Sequence, residues 1–272
     1  MRLLQDKVIF ITGGSRGIGR EIALKFAADG ARIVIAAKTS DPHTSLPGTI
    51  HTVADEIRRA GGEALPLQVD VRNTDAVKDA IETAVKTFGG LDILVNNASA
   101  ISPTGLLDTS PQRYDLLQSI NTRGTYLCSH YAIPHLRASK NPHVLTLSPP
   151  ISTGTKWYGT YAAYAISKYG MTMCTLGVAE EFRPDSIAAN SLWPRTMIAT
   201  DAVRVHYEDE YRRSRHPAIM ADAAYLIVTK DSRTFSGNSL IDEDFLRDEG
   251  FSDFSHYAID PCVELAADIL ID

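Results

Sequence analysis

Short runs of aliphatic and β-branched residues alternate with longer amphipathic stretches along this chain, the pattern of a parallel sheet whose strands are joined by crossover helices. Val8–Ile11 reads as the first strand, followed by a glycine turn and a helix over about Ile18–Asp29 that Gly30 stops. Arg32–Ala37 is the second strand, and the Pro/Ser/Thr-rich Thr39–Gly48 is a loop insertion by its content. A helix over about Thr49–Ala60, a strand at Ala64–Val69, a helix at Asp75–Phe88 and a strand at Asp92–Val95 come next. Pro111 suits a first helical turn and opens one long helix through about Leu136. Val144–Leu147, a helix at Tyr161–Phe182, Ile187–Leu192, a helix at Ala218–Val228 and a short last strand at Ser239–Ile241 complete the reading. Residues 1–272 are expected to form one α/β domain, a doubly wound parallel sheet of about seven strands with helices on both faces. Residues 242–272 are rich in carboxylates but interleave Phe245, Phe251, Phe254 and Tyr257, so this tail is expected to pack on the domain or on a partner.

Composition narrows the function classes. With 44% hydrophobic and 22% charged residues in 272, a sizeable core is expected. The net charge of -6 argues against nucleic acid or an anionic membrane as the main partner. No run approaches the roughly 20 apolar residues of a membrane span, and no signal architecture precedes the first strand. Cys128, Cys174 and Cys262 are far apart, and the histidines show no HExxH and no pairing with cysteine. No metal site is expected, and a reducing, cytoplasmic compartment fits.

Two patterns carry chemistry. Thr12-Gly13-Gly14-Ser15-Arg16-Gly17-Ile18-Gly19 sits where a strand becomes a helix. Glycines there let backbone approach a pyrophosphate, whose charge the helix N-terminal amides stabilise. Tyr164 and Lys168, four apart on a helix, share a face. A cation beside a phenol favours the phenolate and brings its proton into useful range. Each pattern alone has a dull reading: a turn, or an amphipathic core residue.

Taken in order with Asp70 after the third strand, Asn96-Asn97-Ala98-Ser99 after the fourth, Asn121, and Ser148 after the fifth, they resemble the short-chain dehydrogenase/reductase family over nearly the whole chain. The resemblance implies a Rossmann-type fold and an oxidoreductase acting on a carbonyl/alcohol pair. It implies Tyr164 as acid and base, and Lys168 as the group that lowers its pKa and binds ribose. Ser148 would donate to the substrate oxygen, and Asn121 would support a water relay. Cofactor contacts are implied for Gly13, Ser15, Arg16, Gly17, Ile18, Gly19, Asp70, Val71, Asn97, Ala98, Tyr164, Lys168, Pro194 and Thr196. At the end of the second strand Ala37 stands where NAD-preferring folds carry a carboxylate, and Lys38 follows it. With Arg16 as a second cation, NADP(H) is expected in preference to NAD(H). A homodimer or homotetramer is implied by analogy alone.

Departures from the family pattern point to the substrate side. Pro149-Pro150 follows Ser148, and Trp193-Pro194-Arg195-Thr196 replaces the usual Pro-Gly, with Thr200 one position late. Thr196 is therefore taken for the nicotinamide carboxamide. These features and the Thr39–Gly48 insertion resemble the hydroxysteroid dehydrogenase-like subgroup, whose animal members carry a sterol-carrier domain and a peroxisomal address that this chain is expected to lack. Pro149, Trp157 and Tyr158 are the pocket candidates, favouring an apolar or lipid-like substrate. Arg212, Arg213 and Arg215, within the capping segment Met197–Pro217, read as a solvated face. A competing reading is a cofactor-binding sensor or scaffold with little turnover.

Overall fold

Short strands of mostly aliphatic residues, the central ones buried on both faces, satisfy their backbone groups by pairing with one another. In the computed structural model, which describes residues 2–42 and 47–271, they do so as β1 (Val8–Thr12), β2 (Arg32–Ala37), β3 (Glu63–Gln68), β4 (Ile93–Asn96), β5 (His143–Leu147), β6 (Ala188–Trp193) and the shorter β7 (Ser239–Ile241). The order is β3-β2-β1-β4-β5-β6-β7, and every pair is parallel. This is the expected Rossmann-type doubly wound sheet. After β3 the chain returns to the other side of β1, so β1 and β4 flank the switch point where such sheets bind ligands.

Period-two alternation sends neighbouring strand residues into two core layers. Ile9, Ile11, Ile33 and Ile35 pack with α1 (Gly17–Ala28), α2 (Ile50–Arg59) and α8 (Ala218–Thr229). Val8, Phe10, Val34 and Ala36 pack with α3 (Thr74–Phe88) and α5 (Thr122–Leu136) on the opposite face.

The stretch expected as one helix from Pro111 is two, α4 (Pro111–Ile120) and α5, meeting at Asn121. The Asn121 side chain is drawn out of the helix surface by partners in the β4 loop. The catalytic-segment helix is longer than expected: α6 covers Thr155–Glu181 and is kinked at Tyr161, with φ -137° and ψ 46°. Tyr161, the expected start, is thus the kink. A short α7 (Asp201–His206) precedes α8. In the tail, α9 (Asp242–Asp248) brings Phe245 and Leu246 into the core layer of α8, where Phe254 and Tyr257 join them, while Phe251 stays exposed. The middle of the Thr39–Gly48 insertion, residues 43–46, lies outside the described residues. Among the described residues no helix is long and apolar enough to cross a membrane.

Candidate active site

The glycine turn is held by the ends of β1 and β4. Thr12 Oγ1 accepts the backbone N–H groups of Asn97 and Ala98 at 3.0 Å each, and the Asn97 amide donates to Thr12 O and Gly13 O, also at 3.0 Å. The approach is so close that a Cβ at Gly13 would lie 2.8 Å from Asn97 Nδ2, and one at Gly19 would lie 2.5 Å from it. Gly13 and Gly17 also hold φ of +67° and +55°, a region open mainly to glycine.

This turn borders a cleft of about 630 Å³. Gly13, Ser15, Arg16, Gly17 and Ile18 line one side, Lys38 lies beyond β2, Asp70 and Val71 beyond β3, and Asn97 and Ala98 beyond β4. Gly19 lines no cleft and packs beneath the turn against Asn97. Ala37 borders the cleft without a carboxylate, and Arg16 Nη2 donates to Gly48 O at 3.0 Å, tying Gly48 to the turn. Arg72 is a cleft residue missing from the sequence expectation. Its backbone N–H and its Nε donate to Asp70 Oδ1 at 3.0 and 2.9 Å, and these bonds hold the Asp70 carboxyl below the usual range. The signal was the adjacency Asp70-Val71-Arg72.

At the other end, Tyr164 and Lys168 are buried on α6. Lys168 Nζ donates to Leu147 O at 2.7 Å and to Ser99 Oγ at 3.4 Å, and it lies 4.8 Å from the Trp193 ring centroid. Burial pulls its pKa down to about 7, opposed by the Asp268 carboxylate. Lys168 was expected to lower the Tyr164 pKa. In this structure burial pushes the phenol well above its ordinary value, and Asp268 and Tyr207 add to the rise.

Ser148 is wholly buried, its Oγ 2.8 Å from Thr172 Oγ1, which also donates to Pro149 O at 2.7 Å. Asn121 Oδ1 accepts from Ala100 N at 2.7 Å, while its amide donates to Ala100 O at 3.0 Å and Ser167 Oγ at 2.9 Å. Its side chain therefore pins the β4 loop to the turn of α6 that carries Lys168.

Tyr164 borders an inner cavity of about 120 Å³ that shares Ile18, Thr200 and Ala202 with the cleft. Pro194 lines this cavity, with Leu147, Trp193, Met197, Tyr207 and Asp268. Ser148, Pro149, Trp157, Tyr158 and Thr196 line neither space. Trp157 and Tyr158, taken as pocket candidates, sit in the first turns of α6, where Trp157 stacks on Tyr161 at 6.2 Å. Thr196 Oγ1 is buried without a hydrogen-bond partner among the described residues. Thr200 borders both spaces and caps α7. Arg215, read as solvated, is instead buried and ion-paired with Glu243, because the tail covers it; Arg212 remains exposed. Asp268 was not found from sequence, and no local pattern marks it.

Comparison with known proteins agrees with this geometry. The family model described as short chain dehydrogenase matches residues 7–210. Hydroxysteroid dehydrogenase-like protein 2 of Danio rerio is 56% identical over 265 residues, covering 97% of this chain and 63% of that protein. The chain thus spans under two-thirds of the length of that curated relative. A putative dehydrogenase from Xanthomonas campestris has a crystal structure similar to this one with TM-score 0.96 and 47% identity, covering 99% of each chain. A metagenomic short-chain oxidoreductase solved in complex with NADP gives a TM-score of 0.73 and 27% identity over 88% of this chain and 97% of its own.

Proposed function

This chain belongs to the short-chain dehydrogenase family of nicotinamide-dependent oxidoreductases, and we propose that it uses NADP(H) to interconvert a carbonyl and an alcohol on an apolar, lipid-like substrate. The observation that carries the reading is Tyr164 at the wall of a mostly apolar cavity that shares Ile18, Thr200 and Ala202 with the glycine-lined cleft.

The residues present fit a dinucleotide. The turn has its glycines where side chains would collide with Asn97, and Thr196 offers a buried hydroxyl without a partner among the described residues. Gly13, Ser15, Arg16, Gly17 and Ile18 would hold the pyrophosphate at the start of α1, with Gly19 allowing the close packing beneath the turn. Asp70 and Val71 would hold the adenine, Asn97 and Ala98 the neighbouring sugar, and Pro194 and Thr196 the carboxamide. Lys168 would bind the ribose hydroxyls. Arg16 and Lys38, with no carboxylate at Ala37, favour a 2′-phosphate. When bound, the nicotinamide supplies or accepts hydride.

Tyr164 gives its proton to the substrate oxygen in reduction. Ser148, whose hydroxyl is engaged by Thr172 here, would donate to the same oxygen and stabilise the charge that develops there. Asn121 keeps the β4 loop and the Lys168 turn in register. Exposed Tyr126 on α5, with Ile166 and Met173 on α6, offers a face for a second copy in a homodimer or homotetramer.

The test is NADPH oxidation against a panel of aldehydes, ketones and quinones, with turnover of apolar members expected. The engagement of Ser148 by Thr172 favours one other reading, a cofactor-binding sensor or scaffold. Tight NADPH binding without turnover on the panel would select it.

A further inference from the structure

One wall of the inner cavity comes from far along the chain. Residues 264–271 lie across the segment that follows β6. Met197 N–H donates to Ala266 O at 2.9 Å, Thr196 pairs antiparallel with Ala267, and Asp268 N–H donates to Arg195 O at 3.1 Å. Trp193 Nε1 donates to Ile269 O at 2.9 Å. Backbone bonds therefore hold this segment, and no bond of the Asp268 carboxyl is needed to place it.

The cavity is nevertheless given a carboxyl. Among the described residues Asp268 is the one charged group at its wall, beside the phenols of Tyr164 and Tyr207 and otherwise mainly apolar side chains. It makes no ion pair among the described residues. The Ile269 N–H meets part of its need, while the Trp193 indole is already committed to Ile269 O, and a carboxylate offers about four acceptor sites. A carboxyl in such surroundings is strongly disfavoured until a further partner arrives. Burial raises its pKa well above the ordinary range, with the nearby Lys168 charge opposing. A hydroxyl serves either protonation state, since it donates to a carboxylate and accepts from an acid. A cationic partner is disfavoured by the nearby Lys168 charge, which lies outside the cavity wall.

We propose that Asp268 is a specificity-determining residue that hydrogen-bonds a hydroxyl next to the reacting carbon, so that the substrates are apolar α-hydroxy carbonyl compounds and the matching vicinal diols. The spacing follows from size: the cavity has room for about four waters, so two oxygens that meet Tyr164 and Asp268 together are only a few bonds apart. This rests on the reading of Tyr164 as the residue at the reacting oxygen.

Trp193 borders the cavity and reports binding without turnover. Its fluorescence in the NADP⁺-loaded protein is titrated with 1,2-hexanediol and with 1-hexanol. The diol is expected to bind about tenfold or more tightly in the unaltered protein, equally in Asp268→Leu, and with part of the preference kept in Asp268→Asn, the milder variant should the first fail to fold. Equal affinities in the unaltered protein, or a diol preference that survives in both variants, overturn the proposal. Weakened NADP⁺ binding with the diol preference intact also overturns it, by assigning Asp268 to the cofactor. NADPH formation from the diol is read separately. Its absence, with the diol preference present and lost in Asp268→Leu, supports the recognition and sinks only the oxidoreductase reading.

Discussion

Lys168 Nζ donates to the carbonyl of Leu147 at 2.7 Å, tying the ammonium of α6 to the last residue of β5. The residue before Ser148 and the residue one turn after Tyr164 are thus joined directly. The bond sets the height of α6 over the strand ends and leaves Tyr164 facing the cavity.

Tyr164→Phe keeps the ring and its packing but removes the proton. The expected outcome is a fall in kcat of about a hundredfold or more with NADPH affinity unchanged, measured by steady-state kinetics and a binding titration. Substantial residual rate would move the acid role elsewhere.

Ala37→Asp combined with Lys38→Ala installs a carboxylate and removes a cation at the cleft edge. The ratio of kcat/KM for NADPH over NADH is expected to drop by about tenfold or more, since a carboxylate accepts the ribose 2′-hydroxyl and repels a 2′-phosphate. An unchanged ratio would refute the assigned preference.

Gly19→Ala places a Cβ 2.5 Å from Asn97 Nδ2 and 2.6 Å from Gly13 O. Asn97 must give way and release Thr12 O and Gly13 O, so dinucleotide affinity is expected to fall and the melting temperature to drop. Gly89→Ala meets no atom within 4 Å but sits at φ +87°, so it is the control that loses stability without losing affinity.

His143 is buried at the start of β5, with Nε2 3.1 Å from Lys230 O, and burial pulls its pKa down to about 4. The folded state therefore binds this proton less readily than the unfolded chain, so the contribution is present above about pH 6.5 and is lost as pH falls towards 4. The loss is on the order of 3 kcal/mol. Denaturant unfolding between those pH values is expected to show a shallower acid loss in His143→Gln; parallel curves would reject the assignment.

The elements were legible because their signals are local and periodic. The glycine turn at a strand–helix junction and the four-residue spacing of Tyr164 and Lys168 are properties of a few neighbouring residues. The same locality explains the errors. Nothing near Asn121 announces that its side chain leaves the helix for Ala100, and nothing near Arg215 announces that Glu243 will cover it.

By itself, then, the sequence determined the parallel sheet, the nucleotide-type turn and the placing of Tyr164 and Lys168 on one helix face, since backbone propensity and side-chain periodicity act over one or two turns. Tertiary structure alone decided which groups face the cavity. It turned Ser148 towards Thr172, committed Lys168 to Leu147, and laid Asp268 beside Tyr164. Burial and pairing between distant segments set those contacts and the protonation of Tyr164, and neither leaves a pattern in the local order of residues.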